Sequence, residues 1–466
     1  MTEANPSLDY LIVGAGATGL AAAYYATAAG QRVTLLEAAP RVGGATGTLN
    51  TEGWQTETGP NSLMQSPILS ELIAALNLAD DIVLANPLAK KRFVSRHGHP
   101  VALPMGPGSL LSSPLFGFND WWHLLKEPWV KPATQEESIA DFVRRRLSQG
   151  FLDWAVDPFV SGVYAGDPER LSAWAAIPKL RALEAEHGSL IRGGIARMRA
   201  AKRQPAPPMN PKKGSLFSFR RGLATLTDAL ADATRQTGLG QIETSTAVCG
   251  LTPPTAPGMP WVVQTTDQRQ WQATQLLLAT PAWHSAEWIA PFDPALAEAL
   301  SAIEYPAVTA VALGFPRDAV AHPLDGFGLL IPSREGKHTL GVLFSSTLFP
   351  ERAPEGHVLL TAFIGGRRRP EAAEGSDSDL VQQILADLAP ILGIRGRPVF
   401  QRIQRWPRAI PQYELGYLAL QQRIDAALVH HPGLQLGGNW RQGIAVGDCL
   451  AQGKALALGA QNQPVP

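Results

Sequence analysis

Gly14-Ala15-Gly16-Ala17-Thr18-Gly19 lies between an apolar run, Tyr10-Leu11-Ile12-Val13, and a helix-forming stretch that starts at Leu20 and runs to Ala29. That order predicts a strand, a tight turn and a helix. Gly30 ends the helix, and a second strand runs to Leu36 and finishes on Glu37, at the distance from Gly19 that a ribose-binding acid takes in a βαβ unit. Gly14 permits the turn, Gly16 lets the backbone approach a pyrophosphate, and Gly19 lets helix and strand pack closely. The helix N-terminus offers unpaired N–H groups and the positive end of its dipole to phosphates. Glu37 is placed to accept hydrogen bonds from a ribose, and its charge disfavours a 2′-phosphate. The unit predicts a dinucleotide site, and alone it leaves FAD and NAD both open.

Further glycines separate the two. Arg41-Val42-Gly43-Gly44 follows the acid, and Gly59-Pro60-Asn61 comes shortly after. A Gly-Gly pair offers backbone N–H groups without side-chain bulk, as a second stretch of chain crossing a diphosphate and a flavin requires. Arg41 adds a cation beside the phosphates. Near the C-terminus Leu434-Gln435-Leu436 runs into Gly437-Gly438-Asn439, and Gly443-Ile444-Ala445 opens a helical run. This second helix N-terminus also faces an anion. No second glycine-rich unit with its acid appears, so electrons are expected to pass to dioxygen and not to or from a nicotinamide. The chain carries no Ser/His/Asp order, paired-carboxylate motif or HExxH, and its 10 His are scattered without metal-ligand spacing. No side-chain catalytic base and no metal are expected.

The N-terminal stretch as far as Met64 resembles the amine-oxidase-like FAD flavoproteins. Longer stretches resemble one branch of them, the oxygen-dependent protoporphyrinogen oxidases of plants and bacteria: DPFVSGVYAGDP at 157–168, GSLFSF at 214–219, LDGFG at 324–328, TLGVLFSS at 339–346, FPERAP at 349–354, FIGG at 363–366, AIPQY at 409–413, and GGN at 437–439 followed by Gly443. The resemblance implies FAD held by Gly14, Gly16, Ala17, Thr18, Gly19, Glu37, Ala38, Arg41, Gly43, Gly44, Gly59, Pro60, Asn61, Val248, Gly438, Asn439, Gly443, Ile444 and Ala445. Val248 would lie beside the adenine through its backbone. The resemblance also implies protoporphyrinogen IX as substrate, oxidised by dioxygen through the flavin in heme and chlorophyll biosynthesis. Arg92 would grip a propionate, Leu330, Leu343 and Phe363 would flank the macrocycle, and the bare backbone of Gly162 would lie close to it. Two positions depart from the pattern: Trp440 stands where Tyr or His is expected, and Asp448 where a basic residue is common. A homodimer, product handover to a chelatase and sensitivity to diphenyl-ether herbicides are further implications.

The elements that must position these residues are expected to interleave. A Rossmann-like α/β FAD-binding domain is assigned to 1–84, 214–285 and 405–466, a mixed-sheet substrate domain to 286–404, and a helical membrane-associating domain to 85–197. A Pro-rich, basic mobile loop is expected over 198–213. Leu110, Leu111, Leu115, Phe116, Phe118, Trp121, Trp122, Leu124, Leu125 and Trp129, flanked by Lys126 and Lys131, suit either an aromatic core or a bilayer interface. The resemblance favours the interface.

Forty Lys+Arg balance 40 Asp+Glu over 466 residues, which excludes a general polyanion binder and with it nucleic acid. At 45% hydrophobic and 17% charged residues the chain is globular. Cys249 and Cys449 match no zinc or disulfide spacing, and no apolar run is long enough to span a bilayer. A reducing, cytoplasm-facing compartment is therefore expected, and the resemblance implies peripheral attachment to a membrane on that side. An amine oxidase or carotenoid-type desaturase is the alternative on the same fold, and a binding protein that carries FAD without turnover is a third reading. Arg92 separates the first two, since a dicarboxylic porphyrinogen needs its charge.

Overall fold

The computed structural model describes residues 8–104, 106–203 and 214–459. A seven-stranded sheet carries the glycine-rich turn. Its order is Gly240–Glu243, Val33–Leu36, Leu8–Val13, Gln270–Leu278, Trp261–Thr265 and Val248–Thr252, with Leu434–Leu436 also pairing Gln270–Leu278. The strands around Leu8–Val13 run parallel, and the pairs made by Trp261–Thr265 are antiparallel. All four residues of Val33–Leu36 are buried, as a parallel strand covered on both faces requires. The helices Ala17–Ala28, Ala224–Gln236 and Val446–Ala457 cover one face, while Ala282–Ile289, Pro294–Ser301 and Tyr417–Leu428 cover the other.

The second seven-stranded sheet runs Phe400–Trp406, Val308–Pro316, His357–Gly365, Thr339–Leu343, Gly328–Leu330, Phe93–Arg96, His99–Ala102. The helix Asp377–Leu392 packs on one of its faces over Phe93, Leu329, Val342 and Ala362. The remaining helices, from Phe118–Lys126 to Leu190–Arg203, gather around a third core that includes Phe142, Phe151, Trp154 and Leu171. Inside that unit Arg146, Glu127 and Glu184 are all fully buried, with guanidinium-to-carboxylate distances of 3.0 and 2.5 Å. The Glu127 carboxylate also accepts from Ser189 and from the Leu190 N–H, which keeps its charge hydrogen-bonded in the interior.

Three boundaries differ from the sequence expectation. Residues 93–102 are strands of the second sheet and not part of the helical unit, because Phe93 and Val94 find parallel partners in Leu329 and Leu330, far downstream in the chain. The segment after 286 stays with the first sheet, where Ile289, Leu296 and Leu300 join its core. The helix Leu190–Arg203 carries Met198 to Arg203, so no loop begins at 198; residues 204–213 lie outside the described residues.

Candidate active site

The turn after Leu8–Val13 is shaped by its glycines. Gly14 has φ +101°, and a Cβ on Gly19 would lie 1.9 Å from the Gly14 carbonyl oxygen. Gly44, at φ +56°, brings its chain against Gly16, where an added Cβ would sit 3.2 Å from the Gly16 Cα. A Cβ on Gly16 would meet nothing within 4 Å, so the two backbones border open space. The helix Ala17–Ala28 points its N-terminus into that space with no side-chain cap and no acid in its first turn. Glu37 closes the far side: its carboxylate accepts from the Ala15 N–H at 2.7 Å and the Ala39 N–H at 2.9 Å. Ala38, between them, is exposed. The Arg41 guanidinium folds over the 43–47 loop and donates to the carbonyls of Val42 and Gly44. Ala17 is half-buried and Thr18 buried at the crossing with the C-terminal helix.

A second crossing sits beside this turn. Gly59 passes Ala45 so closely that a Cβ would be 2.5 Å from the Ala45 carbonyl oxygen. Pro60 and Asn61 follow, half-buried, and the Asn61 carbonyl accepts from Arg352 at 2.8 Å. Arg352 is buried and pairs with buried Glu57 at 2.9 Å. Burial raises the Glu57 carboxyl pKa and lowers that of the Arg352 guanidinium. Val248 lies half-buried at the antiparallel edge of the first sheet, opposite Thr265.

The C-terminal strand delivers the turn at 437–445. The Gly438 N–H donates to Gln452 at 2.6 Å, and Gly438 and Gly443 both have positive φ, +139° and +136°. Asn439 and Ile444 are half-buried and Ala445 is exposed. The Trp440 ring packs beneath Gly438 in the core of the first sheet, where its indole donates to the Thr280 carbonyl at 3.0 Å. Asp448 lies against the Gly443 backbone; although one edge is open to solvent, burial raises its carboxyl pKa against the pull of Lys179. Cys449 is buried next to Thr18 with its thiol pushed up to about 12, which makes it a packing group.

Of the five residues expected around a macrocycle, Leu330, Leu343 and Phe363 lie on the second sheet, Gly162 on a helix facing it and Arg92 just before one of its strands. Leu330 pairs with Gly341, which pairs with Phe363, and Leu343 lies two residues along from Gly341. Their side chains therefore share the face opposite the helix Asp377–Leu392. Gly162, exposed on the helix Asp157–Tyr164, faces them: a Cβ there would sit 2.5 Å from a Leu330 methyl. Asp157 pins that helix to the sheet by pairing with Arg368 and accepting from the Ser333 N–H. Arg92 sits just before the strand Phe93–Arg96 with its guanidinium 5.3 Å over the Phe327 ring. Among the described residues no carboxylate pairs with it, whereas neighbouring Lys91 is tied to Asp325. Leu330, from the sheet face, and Ile444, from the C-terminal turn, both pack against the helical core.

Residues 17–457 match the model of the flavin containing amine oxidoreductases. The chain belongs to that family. It is 33% identical over 478 aligned residues to protoporphyrinogen oxidase 2, chloroplastic/mitochondrial, of Arabidopsis thaliana, covering 97% of this chain and 93% of that protein. It is 28% identical to coproporphyrinogen III oxidase of Bacillus subtilis (strain 168), covering 97% of both chains. A crystal structure from Exiguobacterium sp. 255-15 superposes with a TM-score of 0.82 at 25% identity over 98% of this chain and 99% of that one. The protein is an FAD-dependent oxidoreductase of the protoporphyrinogen oxidase branch, and its α/β fold is the amine-oxidase-like one.

Sequence reasoning passes over several residues that build this flavoprotein site. Gly453 lets the C-terminal helix cross the first helix, since a Cβ there would lie 2.2 Å from the Thr18 carbonyl oxygen. Its signal is a lone glycine inside a helical run, which marks close approach as readily as weakness. Tyr413 and Arg352 fall inside stretches that carry the resemblance, but the hold of Tyr413 and Tyr417 on the 439–443 turn and the pairing of Arg352 with Glu57 give no signal, because the partners lie in separate segments of the chain.

Proposed function

We propose that this chain catalyses the oxygen-dependent oxidation of protoporphyrinogen IX to protoporphyrin IX in tetrapyrrole biosynthesis. One observation carries the reading: an apolar sheet face of Leu330, Leu343 and Phe363, opposed by the bare backbone of Gly162, has the uncompensated cation Arg92 at its edge. That combination fits a flat apolar ring with a carboxylate at one end. The open space between Gly16, Gly44 and the uncapped helix N-terminus fits the diphosphate of FAD, with Glu37 towards the ribose, Val248 towards the adenine, and 438–445 at the ring. When bound, FAD supplies the two-electron acceptor that dioxygen reoxidises.

The chain's own residues orient and shield. The sheet face and Gly162 fix the plane of the macrocycle, Arg92 fixes its rotation through a propionate, and the apolar walls exclude water. The substrate loses six hydrogens in three two-electron rounds, and three dioxygen molecules become three hydrogen peroxide. Protons leave the pyrrole N–H groups to water, so no side-chain base is required. Mixing FAD-loaded protein with reduced protoporphyrinogen IX in air should give porphyrin fluorescence and peroxide. Arg92→Ala should lower kcat/KM about ten- to a hundredfold, the loss of a charge-assisted carboxylate contact. A flat trace from flavin-loaded wild type would refute the reading, and an unaffected Arg92→Ala would remove Arg92 from the substrate site.

Attachment to a membrane surface belongs to the same proposal. Phe118, Trp122 and Leu125 recur along one side of the helix Phe118–Lys126 and are exposed, as is Trp129 beyond it, while Trp121 and Leu124 on the other side pack against the helical core. Lys126 lies 4.6 Å over the Trp122 ring at the edge of the patch. A helix with one side buried in protein and an aromatic second side in water suits a bilayer interface. No helix of the described residues is long and apolar enough to cross a membrane. The triple variant Phe118→Glu/Trp122→Glu/Leu125→Glu should cut partitioning onto anionic vesicles by about a hundredfold or more, since each apolar side chain contributes about 1.5–3 kcal/mol when buried. Co-sedimentation measures this, and unchanged binding would remove the patch from consideration. Homodimerisation and handover of product to a chelatase complete the proposal.

A further inference from the structure

Three consecutive side chains reach three different parts of the site. Tyr413 is 4% exposed, and its hydroxyl donates to the Asn439 carbonyl at 2.6 Å while accepting from the Gly443 N–H at 3.0 Å. One hydroxyl thus bridges both ends of the 439–443 turn. Its ring stacks on that of Tyr417, with centroids 4.3 Å apart and planes at 21°, and the Tyr417 hydroxyl lies 2.6 and 2.8 Å from the carbonyls of Trp440 and Arg441. Gln412 donates to the Tyr164 carbonyl at 2.9 Å, at the end of the helix that carries Gly162. Glu414 accepts from Arg367 at 2.7 Å, just beyond the strand that carries Phe363. The Tyr413 carbonyl itself accepts from the Ser172 N–H of the helical unit at 2.8 Å.

We propose that Tyr413 is a positioning residue that sets the 439–443 turn relative to the flavin ring, and that Gln412 and Glu414 tie this setting to the two walls of the substrate face. The inference rests on the FAD and porphyrinogen reading above. Gly438 and Gly443 give the turn little conformational resistance of its own, so its shape must come from outside it. Tyr413 supplies that restraint from a rigid, stacked and buried position. Burial holds its phenol pKa well above the ordinary tyrosine range, which keeps the hydroxyl protonated and able to donate at any working pH.

The test compares Tyr413→Phe with Tyr10→Phe, which removes another buried tyrosine hydroxyl, the one donating to Gln435 at 2.6 Å. Both are measured as holoenzymes for the flavin absorption spectrum, midpoint potential, FAD affinity, kcat and KM. Tyr413→Phe is expected to shift the absorption maxima and the potential, and to lower kcat about ten- to a hundredfold with KM within about twofold. Tyr10→Phe is expected to keep the wild-type spectrum and potential. A Tyr413→Phe protein with wild-type spectrum, potential and kcat overturns the inference, even if it is less stable. If Tyr413→Phe does not retain FAD, Tyr417→Phe decides by the same spectrum: a smaller shift in spectrum and potential supports the proposal, and no shift overturns it. Wild-type protein that fails to bind FAD or to oxidise the porphyrinogen would sink the functional reading instead, before any variant is compared.

Discussion

Gly19→Ala is expected to purify without a yellow colour. The new Cβ would lie 1.9 Å from the Gly14 carbonyl oxygen and 3.2 Å from the Ala279 Cβ. Both obstacles belong to the packed first sheet, so neither yields as a flexible side chain would. Gly14 cannot retreat either, because its own position at φ +101° is set against the Ala279 carbonyl. The turn and the helix N-terminus behind it must separate, which destroys the phosphate cradle. FAD affinity should fall at least about a hundredfold, and with it the stabilisation that bound cofactor gives, about 2.7 kcal/mol when FAD is present at a hundred times its Kd. Gly16→Ala provides the contrast. Its Cβ meets nothing within 4 Å, so the cofactor-free protein should melt like wild type while FAD binding is blocked. The ratio of flavin to protein absorbance, with melting curves taken with and without FAD, checks both. Stoichiometric flavin in Gly19→Ala would show that the helix and strand do not need their close contact.

Arg352→Met is expected to destabilise the protein by about 3–5 kcal/mol, the usual consequence of removing one partner from a buried ion pair. Glu57 is fully buried and would keep only the Thr48 hydroxyl and the Leu223 N–H as partners. Arg352→Met combined with Glu57→Gln should recover much of the loss, because an amide oxygen in the place of Oε2 still accepts from the Thr48 hydroxyl and the Leu223 N–H without a charge to desolvate. The pH dependence has a definite sign. A carboxyl raised by burial disfavours the folded state once pH climbs above the ordinary glutamate range, where the unfolded chain ionises freely. Below that range the carboxyl is neutral in both states. The deficit of Arg352→Met should therefore shrink as pH falls towards and below about 4.3, the unperturbed glutamate value. Urea unfolding of the holoenzymes across pH measures it; a pH-independent deficit would mean that lost packing, not the stranded charge, is responsible.

The legible parts of the site are those whose partners are close in sequence. Gly14 to Gly19 and Glu37 form one continuous βαβ unit, and the structure has the expected strand, turn, helix and parallel strand there. The aromatic stretch around Trp121 and Trp122 is ambiguous in sequence because a helical period cannot say which of two apolar sides faces protein; packing assigns Trp121 inward and Trp122 outward. Phe93 and Val94 read as part of the helical segment because their strand partners, Leu329 and Leu330, come far later in the chain. Trp440, which stands out as a departure next to the flavin segment, is a core residue whose indole is satisfied by Thr280. In each case the deciding contact is one that neither propensity nor local spacing encodes.

The strand order also governs how the protein is made. Leu8–Val13 lies between Val33–Leu36 and Gln270–Leu278, and Leu434–Leu436 adds to the latter. The helix Val446–Ala457 then locks across Ala17–Ala28 at Gly453. A nascent chain emerging at about 5–20 residues per second therefore holds its glycine-rich turn for roughly 20–90 s before the last wall of the cradle arrives. During that interval the apolar faces of Leu8–Val13 and Val33–Leu36 lack part of their cover, so the ribosome-bound chain is a client for chaperones. The glycine-rich turn therefore waits on residues 434–457, more than 400 positions downstream, before the layer that packs across its helix is in place.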